Sequence, residues 1–470
     1  MVYKRILYLL LSLLMIISLN AKVILPSIIS DHMVLQRNSN VKLWGYSDSK
    51  EFIEVFTSWN SKVYKAQINS SGYWELTVET GDAGGPYNIK FNDGNIHKLS
   101  DIYLGEVWLC SGQSNMEMPI KGFSGQPVEN STETIVNARP DTPIRLFSVS
   151  KNPSKKALDD CQGKWNVNTP ENVSDFSATA YFFGLQLYRT LNIPIGLVNS
   201  SWGGSKIQSW MTTETLKTYP EISLNHLRDD SKVDKPQWAA SMLYNGMINP
   251  IKKFSFKGVI WYQGESNRDN PSQYESLFKT FVNDWRTQLN NVELPFYYVQ
   301  IAPHCYENKD SIGTAKLREA QYNCEKNIPN VAMVVTLDIG NETCIHPSQK
   351  MEVGNRLAYL ALSKTYNIKG IIGESPRYIS HEIKGNRIIL SFERAPLGLT
   401  SKYKPLRDFE IAGRDSVFYT AKARIVNRKL VEVYSENVKE PVIVRYGYKN
   451  YVEGSLWGTN GLPVSSFITE

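Results

Sequence analysis

Apolar and polar residues change their spacing twice along this chain. From residue 22 to about 101 the apolar positions come in short alternating runs, Val34–Gln36, Val41–Gly45, Phe52–Phe56, Tyr73–Val78 and Tyr87–Phe91, separated by Gly, Asn, Asp and Ser. Period-two runs at this spacing predict a β-sandwich-like region. Between 102 and 370 the period lengthens. Compact apolar runs at Val107–Cys110, Ile195–Val198, Phe256–Tyr262, Phe296–Ile301 and Val331–Leu337 alternate with helical stretches at Asp175–Arg189, Pro271–Leu289, Ala315–Lys326 and Ser348–Tyr366. That alternation predicts an α/β region with a largely parallel sheet, and Pro271 suits the first turn of its helix. From 371 to 470 the short-strand pattern returns in Arg387–Phe392, Val417–Thr420, Leu430–Tyr434 and Val442–Tyr446. Gly385-Asn386 reads there as a hairpin turn whose other arm is Tyr378–Ile383.

Residues 1–21 stand outside all three patterns. Lys4-Arg5 precede an apolar run from Ile6 to Ile17, and Ser18–Ala21 offers a cleavage site. The layout predicts a secretory signal, hence a secreted or periplasmic protein with no membrane attachment once it is removed. An uncleaved anchor is the weaker reading, because the run is short for a membrane span.

Composition narrows the function classes. Hydrophobic residues at 42% and charged residues at 21% describe an ordinary globular protein. The formal charge of +6 falls to +4 without Lys4 and Arg5, and it is spread with no basic block, so no nucleic-acid partner is expected. Five cysteines in 470 residues are no disulfide framework. With no C-x-x-C, H-E-x-x-H or His/Cys cluster, neither a metal nor a cofactor is expected. The 26 Tyr and 11 Trp are compatible with sugar binding and equally with core filling.

The chemistry gathers at the ends of the apolar runs. Val107–Cys110 breaks into Ser111-Gly-Gln-Ser114-Asn-Met116, a turn-forming stretch that would push a serine out of the core. Open α/β sheets keep their ligands at such strand ends. Met116 occupies the place of the second glycine in a G-x-S-x-G elbow, which argues against an α/β-hydrolase. Further strand ends lead into Asn199-Ser-Ser-Trp-Gly203-Gly204, Gln263-Gly-Glu265-Ser-Asn267 and Asp338 to His346. Each alone reads as an ordinary βα turn. Together they supply a serine, oxyanion donors and a histidine, the parts for acyl transfer. Of six histidines, His32, His97 and His381 fall in the β regions and His226 in a polar stretch. His304 competes, but His346, after the last strand and before Pro347, is better placed as the base that a serine needs.

Gly112–Met116, Asn199–Gly204, Trp261–Asn267, and Ile345-His-Pro with Lys350 and Gly354–Ala358 resemble the blocks of the sialate O-acetylesterase family, within the SGNH/GDSL hydrolases. Tyr244-Asn-Gly-Met-Ile248 is also similar. The resemblance implies a flavodoxin-like three-layer core flanked by β domains, and metal-independent removal of acetyl groups from an O-acetylated sugar or glycan. It implies Ser114 as nucleophile and His346 as base. The oxyanion donors it implies are Ser114 N–H, the N–H of Gly203 or Gly204, and a side chain from the third block, Gln263 first and Asn267 second. Glu265 and Asn245 fall in matching blocks and are expected to line the substrate site. One departure stands out. Such families commonly carry an aspartate two or three residues before the histidine, where this chain has Thr343 and Cys344. Asp338 is then the first choice to orient the imidazole, with Glu342, Glu265 or a backbone carbonyl as alternatives. Acetyl xylan or another hemicellulose is the alternative substrate, and a non-catalytic sugar-binding protein the alternative of another class.

Overall fold

The computed structural model describes residues 23–49, 51–228 and 232–469; the signal segment read in residues 1–21 lies outside them. The chain has an α/β fold whose central sheet is flanked by further β-rich regions at both ends. Six strands make the part of the sheet that matters for function: β1 (Ile96–Gly112), β2 (Ile144–Ser148), β3 (Ile195–Ser201), β4 (Gly258–Tyr262), β5 (Phe296–Val299) and β6 (Val331–Val334). Their order is β2-β3-β1-β4-β5-β6, and every neighbouring pair in it is parallel. The order reverses direction at β1, so the crevice beyond its carboxyl end is the place where such sheets bind ligands.

Alternation explains the layers. Val107, Leu109, Val259, Trp261, Phe296 and Tyr298 face one hydrophobic cluster. Their neighbours Trp108, Cys110, Ile260, Tyr262, Tyr297 and Val299 face the other. A strand buried on both faces reads as a continuous apolar run, the form these segments take. The first face is covered by α3 (Pro271–Gln288) and α4 (Gly313–Asn327), which contribute Phe278, Phe281, Trp285 and Leu317. The second is covered by α2 (Ala178–Leu191) and α5 (Lys350–Leu360), contributing Phe182, Phe183, Val353 and Leu357. A one-turn helix, α1 (Ser114–Glu117), follows β1 directly.

β1 has 17 residues and serves two sheets. Its first half pairs antiparallel with Gly84–Asn92 of the amino-terminal β region, and its second half lies between β3 and β4. The 101/102 boundary expected from the patterning therefore falls inside one strand. Asp101, in the left-handed region at φ 58°, lies at that junction, with its carboxylate held by His32 and Arg145. In the carboxyl-terminal region the hairpin Arg377–Lys384/Arg387–Glu393 forms around Gly385-Asn386 as its turn chemistry predicts. Arg318 of α4, fully buried, ties this region to the core by donating to Gly447 O at 3.0 Å and Ser466 Oγ at 2.9 Å.

Candidate active site

Ser114 is presented by a turn fixed on three sides. Gln113 N–H bonds Tyr262 O at 2.9 Å, and Gln113 Oε1 accepts from Gly264 N and Ser266 N, each at 3.3 Å. From the other face Ser177 Oγ donates to Met116 O and Thr179 Oγ1 to Asn115 O, so the first turn of α2 satisfies carbonyls of α1. Gly112 allows the close approach to β4: at φ 142°, an added Cβ would lie 2.1 Å from Tyr262 O. Ser114 is half-buried, and among the described residues its hydroxyl has no hydrogen-bond partner within the chain. Ser111, the other serine of the turn, is buried in the sheet and donates to Ser200 O. Burial therefore separates the two: Ser111 is enclosed in the sheet, and Ser114 is half-buried with an unengaged hydroxyl.

The glycine loop after β3 meets this serine. A Cβ on Gly203 would lie 3.4 Å from Ser114 Cβ. The N–H of Gly203, expected to point at a substrate oxygen, instead donates to the carboxylate of Glu117, whose other oxygen takes Lys151 Nζ at 2.6 Å. The N–H of Gly204, in the left-handed region at φ 70°, makes no such bond among the described residues. Its carbonyl accepts from Trp238 Nε1 at 2.8 Å. Trp238 is 43% exposed, with Lys235 Nζ at 4.1 Å and Lys206 Nζ at 5.0 Å from its ring centroid. Neither lysine has a carboxylate partner among the described residues. The edge of the crevice is thus both aromatic and cationic.

His346 is brought to the same place by a staple. Asn115 Nδ2 donates to Ile345 O at 3.1 Å, so the residue after Ser114 holds the residue before His346. The imidazole bonds through Nδ1 to Gln126 Oε1 at 2.6 Å. An amide carbonyl only accepts, so the proton sits on Nδ1 and Nε2 keeps the free lone pair. Phe123 stacks edge-on against the ring at 5.3 Å between centroids. The 123–129 loop that carries Phe123 and Gln126 is docked by Glu129 N to Ser348 O at 3.0 Å and Ser348 Oγ to Glu129 Oε1 at 2.7 Å. Burial, then the positive charge of Lys350 and then His304 push the imidazole down to about 4, so it is a neutral base at neutral pH. His304, the competing histidine, is tied by Nδ1 to Asn341 O.

Four sequence expectations are corrected by this geometry. Asp338 does not reach His346. Arg356 claims both of its oxygens at 2.8 Å, and Trp457 Nε1 adds a third bond at 3.3 Å. The carboxylate clamps α5 and the carboxyl-terminal region to the exit of β6. Asp338→Ala is accordingly expected to lower the unfolding free energy by roughly 3 kcal/mol in denaturant titrations, because it leaves a buried guanidinium without its main counter-charge. Gln263 is fully buried, and its amide donates to Ser205 O at 3.1 Å and Asn267 Oδ1 at 2.7 Å, so it has no proton for a substrate. Asn267 Oδ1 also accepts from Ile207 N, which fixes the amide's orientation; its Nδ2 gives one proton to Gln208 Oε1 and keeps the second. Asn245 is buried and straps Ser154 O and Lys155 O. Glu265 is buried too, and its Oε1 accepts from Asn115 Nδ2 at 2.7 Å behind the Ser114 turn. Gln126 and Asn115 were missed by sequence reasoning. Only Asn115, inside the quoted Gly112–Met116 block, carried a signal.

Residues 104–363 match the family model described as carbohydrate esterase, sialic acid-specific acetylesterase. The chain is 29% identical to the sialate O-acetylesterase of Mus musculus over 409 residues, covering 74% of this chain and 75% of that protein. With the sialate O-acetylesterase of Homo sapiens it shares 29% identity over 386 residues, 74% of this chain and 72% of that one. A crystal structure of a carbohydrate acetylesterase from Xanthomonas citri superimposes with a TM-score of 0.87 at 32% identity, covering 96% of this chain and all of that one.

Proposed function

This chain belongs to the sialic acid-specific acetylesterase family of carbohydrate esterases, and from that premise we propose that it removes O-acetyl groups from sialic acids through an acetyl-serine intermediate on an SGNH-type core. Ser114 Oγ attacks the acetyl carbonyl carbon as its proton passes to His346 Nε2. The bond from that carbon to the sugar oxygen then breaks, and His346 returns the proton to the departing alkoxide. Water, deprotonated by the same nitrogen, attacks the acetyl-serine and releases acetate. Ser114 N–H, Gly204 N–H and the remaining Asn267 Nδ2 proton are assigned to the oxyanion. Gln263 acts one step behind, by fixing the Asn267 amide. The observation that carries this reading is the Asn115 staple, which joins the neighbours of Ser114 and His346 in one hydrogen bond at 3.1 Å. The leader-like pattern of residues 1–21 supports a site of action outside the cytoplasm.

The sialate preference rests on the rim. A sialic acid carries a carboxylate beside an apolar ring face. Lys206 and Lys235 around Trp238 offer charge and stacking together. Acetate release should be measured on O-acetylated sialic acids and on acetylated xylan oligosaccharides. The expected result is faster turnover of the sialates, with Lys206→Ala/Lys235→Ala raising KM for them by roughly 10-fold and leaving xylan unaffected. Faster turnover of xylan, insensitive to the lysines, would move the assignment to hemicellulose.

A further inference from the structure

Behind the nucleophile turn lies a polar cluster that the reaction itself does not use. Lys350 and Asn115 have no exposed surface and Glu265 is 6% exposed. Lys350 Nζ donates to Asn115 Oδ1 at 2.6 Å and to Pro347 O at 2.8 Å. Asn115 Nδ2 divides its protons between Glu265 Oε1 at 2.7 Å and Ile345 O at 3.1 Å. The carbonyls on both sides of His346 are therefore held by one cluster, and that cluster is anchored one residue after Ser114. A buried ammonium costs several kcal/mol of desolvation, and an apolar residue of the same size would often serve the fold better. A lysine here needs a reason beyond packing.

The surroundings of the ammonium explain its character. Glu265 faces it across Asn115, Cys344 and His346 face it from the preceding loop, and Tyr262 presents its ring at 5.9 Å. Burial pulls Lys350 down to about 7, against the opposing pull of Glu265. Burial also pushes Glu265 up, and its second oxygen is buried without a partner among the described residues, as are the hydroxyls of Tyr262 and Tyr306. The like charge of Lys350 is the second cause of the depressed basicity of His346.

We propose that Lys350 is a positioning residue with two effects on His346: through Pro347 O and Asn115 it fixes the loop that carries the imidazole, and through its charge it keeps that imidazole neutral. His304 is the other ionisable group acting on the ring, and Gln126 and Phe123 are its uncharged neighbours. The inference rests on the assignment of His346 as the base, so its test includes a readout that needs no turnover.

The histidine resonances of the full chain are titrated by NMR in the Ser114→Ala background, with His346 assigned by its loss in His346→Gln. Lys350→Met is expected to move the His346 midpoint upward by about one pH unit. In the otherwise unaltered enzyme the same change should lower kcat by roughly 10- to 100-fold with KM within about twofold. Lys350→Gln keeps a donor without the charge. It should show the same upward midpoint with part of kcat restored, and it reads the proposal if the methionine variant fails to fold. An unmoved midpoint in a folded variant overturns the electrostatic effect, and an unchanged kcat overturns the positioning effect. If the unaltered enzyme releases no acetate while the midpoint still moves, the functional assignment fails and the coupling stands.

Discussion

Ser114→Ala is expected to lower kcat for acetate release by roughly 10⁴-fold or more, with unfolding free energy within about 0.5 kcal/mol of the parent. The two halves of that expectation have separate causes. The turn is held by Gln113, Ser177 and Thr179, none of which bonds the Ser114 hydroxyl, so its removal breaks no internal hydrogen bond. The proposed acyl transfer, in contrast, loses its attacking group, and the other serine of the turn cannot replace it. Ser111 is buried in the sheet against Ser200 O. Residual activity would come from the oxyanion donors and substrate binding alone, acting on water. Mass spectrometry of the parent quenched during turnover should find one acetyl group on the peptide containing Ser114, absent from the variant. A chelator is expected to leave the parent rate unchanged. Near-parent turnover by the variant would remove the acetyl-serine pathway, and a parent inert towards every acetylated sugar would favour a binding protein built on an esterase fold.

The fold was legible in the sequence wherever burial is two-sided or turn chemistry is local. β1, β3, β4, β5 and β6 read as apolar runs because both faces are covered, and the Gly385-Asn386 hairpin read from its turn. Among the strands that escaped, two show why. Lys62–Gln67 is an edge strand with a largely exposed, polar sequence, so it carries no burial signal. β2 is interrupted by Arg145, which is buried because it pairs with Asp101, a tertiary fact. The site divides in the same way. Ser114 and His346 were legible as polar residues at strand ends, and one hydrogen bond, Asn115 Nδ2 to Ile345 O, joins the residues next to them. Their partners were not. Asp338 looked suitable because it stands where the last strand runs into the loop that carries His346, yet Arg356, a helix away, outcompetes a neutral imidazole for a carboxylate through two charge-assisted bonds. Gln126 comes from a loop 220 residues earlier that has no periodicity to read.

Replacing His346 by alanine is expected to abolish acetate release to about the level of Ser114→Ala, since nucleophile and base act as one unit and their losses do not add. The more informative change is at Gln126. Its carbonyl fixes the proton on Nδ1 and leaves Nε2 as the accepting atom, but an uncharged amide gives no Coulombic support to the imidazolium formed in the transition state. That is consistent with a base held down to about 4 by burial, Lys350 and His304. The sign of the pH dependence follows. The active form of the free enzyme is the neutral imidazole, so kcat/KM should be flat around neutrality and fall only as pH drops through the region of 4. Gln126→Ala frees the tautomer and ring orientation and should cost roughly 10²-fold in kcat. Gln126→Glu keeps an acceptor and adds a charge that favours imidazolium, so the acid limb of kcat/KM should move upward by about 1–2 pH units. The same charge would stabilise the transition state, so kcat at neutral pH should hold or rise. An acid limb that stays in place in the glutamate variant, with kcat unchanged in the alanine variant, would show that Gln126 does not orient the base and that backbone contacts of the 345–347 segment alone hold it.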